Sequence, residues 1–177
     1  MSQESSHRYA RALFELAKAG SGQDEVYDAL QQIGKLVKDI PEFYAFLGNP
    51  LLSLEERNKV LTALFKKKAP DLVFKFLLFV SFKSRLNLLP EMIEAFDQLY
   101  LQAHNRIRAL VQTALPLDGN IREQIKTQLG RRYQRDVVPD WQIRQDILGG
   151  FRIVIEGKLH DSSFTSQLQQ FKQQALH

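Results

Sequence analysis

Residues 89–115 read LPEMIEAFDQLYLQAHNRIRALVQTAL. Through the first part, Leu89, Met92, Ile93, Phe96, Leu99, Tyr100, Ala103 and Ile107 recur at steps of three and four, the period of a helix packed along one side. Then the period becomes two. Ala109, Val111, Thr113 and Leu115 alternate with Arg108, Leu110, Gln112 and Ala114, which predicts a strand closed by Pro116 and the break Asp118-Gly119-Asn120. The chain changes architecture near residues 105–107, with no Gly/Pro-rich linker at the change.

Upstream, every segment reads as an amphipathic helix. Tyr9, Ala12, Leu13, Leu16 and Ala17 form one stripe, ended by Gly20-Ser21-Gly22. Val26, Leu30, Ile33, Val37 and Ile40 form a second, stopped by Pro41. A short helical piece at 43–47 closes at Gly48-Asn49-Pro50. Ser53 and Glu56 have the spacing of a capping box, in which each side chain satisfies a backbone N–H of the other, so a helix is expected from Leu54 through Leu61, Leu64 and Phe65. Pro70, and Asn87 with Pro90, can open two more.

Downstream, Ile121, Ile125, Leu129 and Tyr133 return to helical spacing. Trp141, Ile143 and Ile147 alternate with Gln142, Arg144 and Asp146, and Phe151, Ile153 and Ile155 with Arg152, Val154 and Glu156, giving two strands joined at Gly149-Gly150. A closing helix is expected with Phe164, Leu168, Phe171 and Ala175 on one face, after a turn at His160-Asp161. The fold class is therefore α+β in two domains. An N-terminal six-helix bundle over residues 1–105 precedes a small α/β domain over 106–177, ordered strand, helix, strand, strand, helix.

The chain has 177 residues, 44% hydrophobic and 25% charged, ordinary values for a folded protein. Cysteine is absent, which removes disulfides, thiolate metal sites and cysteine nucleophiles. No stretch approaches the ~20 apolar residues of a membrane span, and no signal-peptide core precedes the first helix. The net charge of +4 is unevenly placed: residues 1–105 hold 13 basic and 13 acidic residues, residues 106–177 hold 11 and 7. All the excess belongs to the smaller domain.

No catalytic constellation is present. Arg152 stands where a phosphate-cradling G-x-x-x-x-G-K-[ST] loop ending at Gly157-Lys158 would need glycine. His7, His104, His160 and His177 are scattered, and none has a second histidine four residues on for a metal. The pattern is that of a non-enzyme without cofactor or metal. Arg122, Lys126, Arg131, Arg132 and Arg135 cluster on and after one predicted helix; they suit either a solvated face meeting an acidic protein or, as the alternative reading, a nucleic-acid-binding C-terminal domain on a helical interaction module. No recognition motif or stacking platform accompanies them.

The conspicuous excess is apolar. Residues 72–82, LVFKFLLFVSF, are hydrophobic at nine of eleven positions, four of them Phe. A helix apolar all round is either central and buried, or keeps one face open for an incoming amphipathic helix.

At RYARALFELA (8–17), Asn49-Pro50 before the capped helix, SRLNLL (84–89) and ILGGFRIVIEGKLHDSS (147–163), the chain resembles the delta subunit of bacterial F-type ATP synthase, similar to the oligomycin-sensitivity-conferring subunit of mitochondria. The resemblance runs over nearly the whole length. It implies a static role in the peripheral stalk: the helical domain holds the amphipathic N-terminal helix of an alpha subunit, and the C-terminal domain meets the C-terminal end of the b-subunit stalk. It also implies a peripheral position on the cytoplasmic face of the bacterial plasma membrane, with no membrane insertion of its own and no nucleic-acid partner. Carried onto this chain, Tyr9, Ala12, Leu13, Leu16, Phe76, Phe79 and Val80 are the expected walls of the alpha-subunit groove. The stalk contacts lie somewhere within 106–177.

Overall fold

The structure is a computed structural model describing residues 2–20, 22–49, 51–147 and 150–161. It divides into two compact units, Met1–Tyr100 and Leu101–His177.

Among the described residues, six α-helices precede the first strand: α1 (Ser2–Ala19), α2 (Gln23–Asp39), α3 (Pro41–Gly48), α4 (Leu54–Phe65), α5 (Asp71–Phe82) and α6 (Leu89–Ala103), with a 3-10 turn at Leu86–Leu88 before α6. Local chemistry sets several of the ends. Pro41 both stops α2 and opens α3, because its missing N–H costs nothing in a first turn. At α4 the capping box forms: the Ser53 hydroxyl accepts from the Glu56 N–H at 3.2 Å, and the Glu56 carboxylate accepts from the Ser53 N–H at 2.8 Å.

The core of this unit is aromatic and aliphatic. Phe96 of α6, 1% exposed, receives the edge of Phe14 from α1 at 5.7 Å between centroids. Tyr27 of α2 stacks on Tyr100 at 3.9 Å, while the Tyr100 hydroxyl donates to Asp24 at 2.6 Å and Gln31 donates to Asp97 at 3.1 Å. Helices α2 and α6 are thus joined by both packing and charge-assisted hydrogen bonds. Phe43 meets Phe65, tying α3 to α4, and the wholly buried Ser81 of α5 donates to Asn58 of α4 at 2.9 Å.

The second unit holds β1 (Arg106–Thr113), α7 (Gly119–Tyr133), β2 (Asp136–Ile143), β3 (Phe151–Ile155) and β4 (Lys158–Asp161). The sheet order is β2-β1-β3-β4. Strand β1 pairs in parallel with β2 through the α7 crossover and antiparallel with β3. Its alternate residues Ile107, Ala109 and Val111 are buried with Val137, Ile153 and Ile155, and Leu129 of α7 closes the cluster. Asp118 caps α7, accepting from the N–H groups of Asn120 and Ile121.

Three expectations need correction. Ile107 does not continue the α6 stripe; it is the first inward residue of β1. Strand β2 begins earlier than the Trp141–Ile147 alternation indicates and includes Pro139, which an edge strand tolerates. His160 and Asp161 lie in β4 rather than in a turn, which adds a strand to the expected order. The missed signal is Glu156-Gly157: both have positive φ, 49° and 73°, the backbone of a two-residue hairpin turn. The expected closing helix and its face Phe164, Leu168, Phe171 and Ala175 lie outside the described residues.

The Ser53 hydroxyl, foremost, and its N–H hold the Glu56 carboxyl below the ordinary carboxylate range. A lowered folded value contributes stability above the unfolded value, lost as pH falls through the folded one. Loss of the N-cap hydrogen bond in Ser53→Ala is expected to cost about 1 kcal/mol. The deficit should shrink in acid, and Glu56 should titrate nearer its ordinary value, read by urea midpoints and carboxyl NMR.

Candidate functional site

Helix α5 resolves the question posed by its composition. Val73, Leu77 and Val80, at steps of four and three, are 0% exposed and face inward together with Ser81. Phe79 is 48% and Phe82 64% exposed. One side of an all-round apolar helix is spent on the core, and the opposite side stays open.

Helix α1 shows the same division, rotated from the stripe read in sequence. Its buried positions are Ser6, Ala10, Leu13, Phe14 and Ala17, while Ala12 is exposed and Leu16 is 59% exposed. Alanines at 10 and 17 let α1 sit close on the core, which turns Tyr9, Ala12 and Leu16, spaced i, i+3, i+7, outward. The Tyr9 and Phe79 rings meet at 6.0 Å between centroids, tilted by 56°. Tyr9 is further fixed by Arg85, whose Nη1 donates to the Tyr9 hydroxyl at 3.0 Å and whose guanidinium lies 5.5 Å from the ring centroid.

Of the seven expected wall residues, Tyr9, Ala12, Leu16 and Phe79 present surface, and Phe76 is half-buried. Leu13, at 2%, and Val80, at 0%, belong to the core beneath and cannot touch a partner directly. Reasoning from sequence missed Phe82, Lys83 and Arg85. Phe82 follows Phe79 at i+3 on the same face, a spacing legible in advance; the reach of Arg85 to Tyr9, 76 residues away, is not. Fully burying one such ring is worth about 1.5–3 kcal/mol, so the strip holds free energy that a partner could recover.

In the second unit, the basic residues on and just after α7 are partly engaged at home. Arg122 lies 5.3 Å over the Trp141 ring, Lys126 is 3.8 Å from Glu123, and Arg135 pairs with Glu156 at 2.9 Å. An open hollow of about 590 Å³ between α7 and the starts of β1 and β2 is lined by Lys126, Arg131 and Arg135 but also by Glu123 and Asp136. Arg144 donates to Asp146 at 2.8 Å, which holds the Asp146 carboxyl below its usual range. Among the described residues no group of three His, Asp or Glu side chains could hold a metal, and no helix is long and apolar enough to cross a membrane.

Residues 6–175 match the family described as ATP synthase delta (OSCP) subunit. The ATP synthase subunit delta of Clostridium botulinum (strain Langeland) is 28% identical over 169 residues, covering 96% of this chain and 94% of its own. That of Clostridium kluyveri is 27% identical over 165 residues, covering 93% and 91%. The fold is similar to a chain in the Toxoplasma gondii mitochondrial ATP synthase hexamer, with TM-score 0.75, 24% identity and 97% of both chains covered. A chain of the Polytomella F-ATP synthase is similar at TM-score 0.50, 24% identity, over 54% of this chain and 85% of that one.

The two sides of α5 should respond differently to substitution. Leu77→Ala removes a fully buried side chain and is expected to cost about 2–5 kcal/mol. Phe82→Ser and Leu16→Ser remove exposed ones and should stay within about 0.5 kcal/mol of the parent. Denaturant unfolding followed by circular dichroism checks both.

Proposed function

The chain belongs to the ATP synthase delta (OSCP) subunit family, and on that premise we propose that it is a non-catalytic peripheral-stalk subunit of an F-type ATP synthase. It joins the catalytic head to the stalk. The helical unit takes the amphipathic N-terminal helix of an alpha subunit, and the C-terminal unit takes the C-terminal end of the b-subunit stalk. Torque from the proton-driven rotor then turns the central shaft instead of the whole head. The chain makes and breaks no bond; its work is to hold.

The observation that carries this reading is the strip on α1 and α5, where Leu16, Phe79 and Phe82 are each about half or more exposed on a framework with a filled core. Aromatic anchors on rigid helices suit a helical partner, because little freedom is lost when the partner's own apolar stripe covers them. A coupling element also needs its binding side chains held against sideways load. Tyr9, locked between Phe79 and Arg85, meets that need. For the C-terminal unit, the excess of 11 basic over 7 acidic residues in 106–177 favours an acidic stalk end. The position that follows is peripheral, on the cytoplasmic face of a bacterial plasma membrane, reached through partners.

Titrating the full chain with a synthetic alpha-subunit N-terminal helix should show saturable binding at micromolar concentration, weakened about tenfold by Phe79→Ser with folding intact. No binding at that concentration would sink the groove. In fractionated cells the chain should sediment with membranes and be released together with ATPase activity. Affinity for the stalk end should fall with added salt; a salt-independent affinity removes the electrostatic part of the reading.

A further inference from the structure

The outer face of α5 is not uniform along its length. Asp71, Lys75, Phe79, Phe82 and Lys83 follow one another at helical spacing. At the start, Lys75 and Asp71 neutralise each other at 2.6 Å. At the end the cations have no such arrangement. The Lys83 ammonium lies 5.7 Å from the Phe79 centroid and 5.3 Å from that of Phe82. Arg85 lies over Tyr9 and donates to its hydroxyl, a neutral acceptor. Arg57, on α4, reaches Ser84 at 3.5 Å, and its buried Nε makes no hydrogen bond. Three cations thus gather about the aromatic end of the strip, while Asp71 stands twelve residues, or roughly 18 Å, from Lys83.

This placement constrains whatever covers the strip. A helix seated on Phe79 and Phe82 takes water away from an ammonium that sits over both rings. Burying a cation without a counter-charge is costly, and the rings' quadrupole offsets only a fraction of that cost. The occupant must therefore bring an anion to this end and can be apolar or neutral at the other.

Resting on the groove reading above, we infer that Lys83 and Arg85 form a carboxylate clamp that selects an amphipathic helix with an acidic side chain at one end of its apolar stripe and fixes the direction in which that helix lies. The aromatic strip supplies affinity. The clamp supplies polarity: a helix docked the other way round would place its carboxylate near the already neutralised Lys75–Asp71 pair and leave Lys83 covered and uncompensated. Lys83 also suits the negative end of the α5 dipole, a structural role that any assay of the clamp must separate.

The test uses the full chain and the alpha-subunit N-terminal helix as a synthetic peptide, with each peptide carboxylate changed in turn to Gln. Lys83→Gln is expected to weaken binding about threefold at low salt and to flatten its salt dependence, since partly exposed ion pairs are of that size. One peptide Glu or Asp should be coupled to Lys83: its change to Gln weakens binding to the parent chain but not to Lys83→Gln. Lys83→Glu should bind poorly and be rescued by a peptide with Lys at the coupled position, a readout that a purely helix-capping lysine would not give. Phe82→Ser is the control for the apolar strip. If Phe82→Ser weakens binding while Lys83→Gln stays within about twofold at every salt concentration and no carboxylate is coupled to it, the clamp is overturned and the groove stands. If the parent chain binds no peptide, the groove reading falls and takes the clamp with it.

Discussion

A twelve-residue helix with apolar side chains around most of its circumference must either be covered by its neighbours on every side or leave one side bare. Helix α5 meets this constraint by committing Val73, Leu77 and Val80 to the core and leaving Phe79 and Phe82 outside. Burial of the first set holds the helical unit together. Ser81, the polar exception on the inner face, is satisfied by Asn58, so α4 and α5 are tied without an orphaned hydroxyl. The exposed set is what that solution leaves uncovered in the chain by itself.

The second unit is built on the opposite economy. Its central strand β1 buries one face along its full length, Ile107, Ala109, Val111 and Thr113 alternating with the half-buried Arg106, Arg108, Leu110 and Gln112. One face is enough, because α7 covers it: Leu129 packs into the cluster that Ile107, Ala109 and Val111 form with Val137, Ile153 and Ile155 beside them in the same sheet. Charge concentrates here as well, yet Arg122 lies on Trp141 and Arg135 meets Glu156, so the basic excess is partly a packing device of the domain itself. The two units thus differ in both the make-up of their cores and their charge.

Several elements were legible from residue types alone. The Ser53–Glu56 box predicted the start of α4 because its hydrogen bonds are local and need nothing from elsewhere in the chain. The alternation at 109–113 predicted β1, since period two survives any tertiary arrangement that buries one face. Others were not. Leu16 was grouped with Leu13 by spacing, and the two lie only about 60° apart around a helix; the small side chains of Ala10 and Ala17 let the core approach on the Leu13 side and leave Leu16 beyond its edge. Strand β4 is four residues long and sits at the sheet edge, where its pairing with β3 defines it more than its composition does. Ile107 fits the helical stripe and the strand equally well by period, and only its partner Val137 settles its place.

The sequence by itself determined that the chain has a neutral helical part and a basic α/β part, that it carries no phosphate-loop motif and no pair of histidines four residues apart, and that residues 72–82 carry more apolar surface than one helix face can use. These are properties of residue type and period, set before any contact forms. Which side of α5 is left uncovered, that Arg85 reaches across to Tyr9, and that Lys83 sits over two rings at one end of the strip were decided only by the tertiary structure. The reason is rotational. A helix of nearly uniform hydrophobicity has no preferred inner face of its own, so the neighbours that pack against it choose one, and that choice leaves its remaining aromatic rings exposed on the other side.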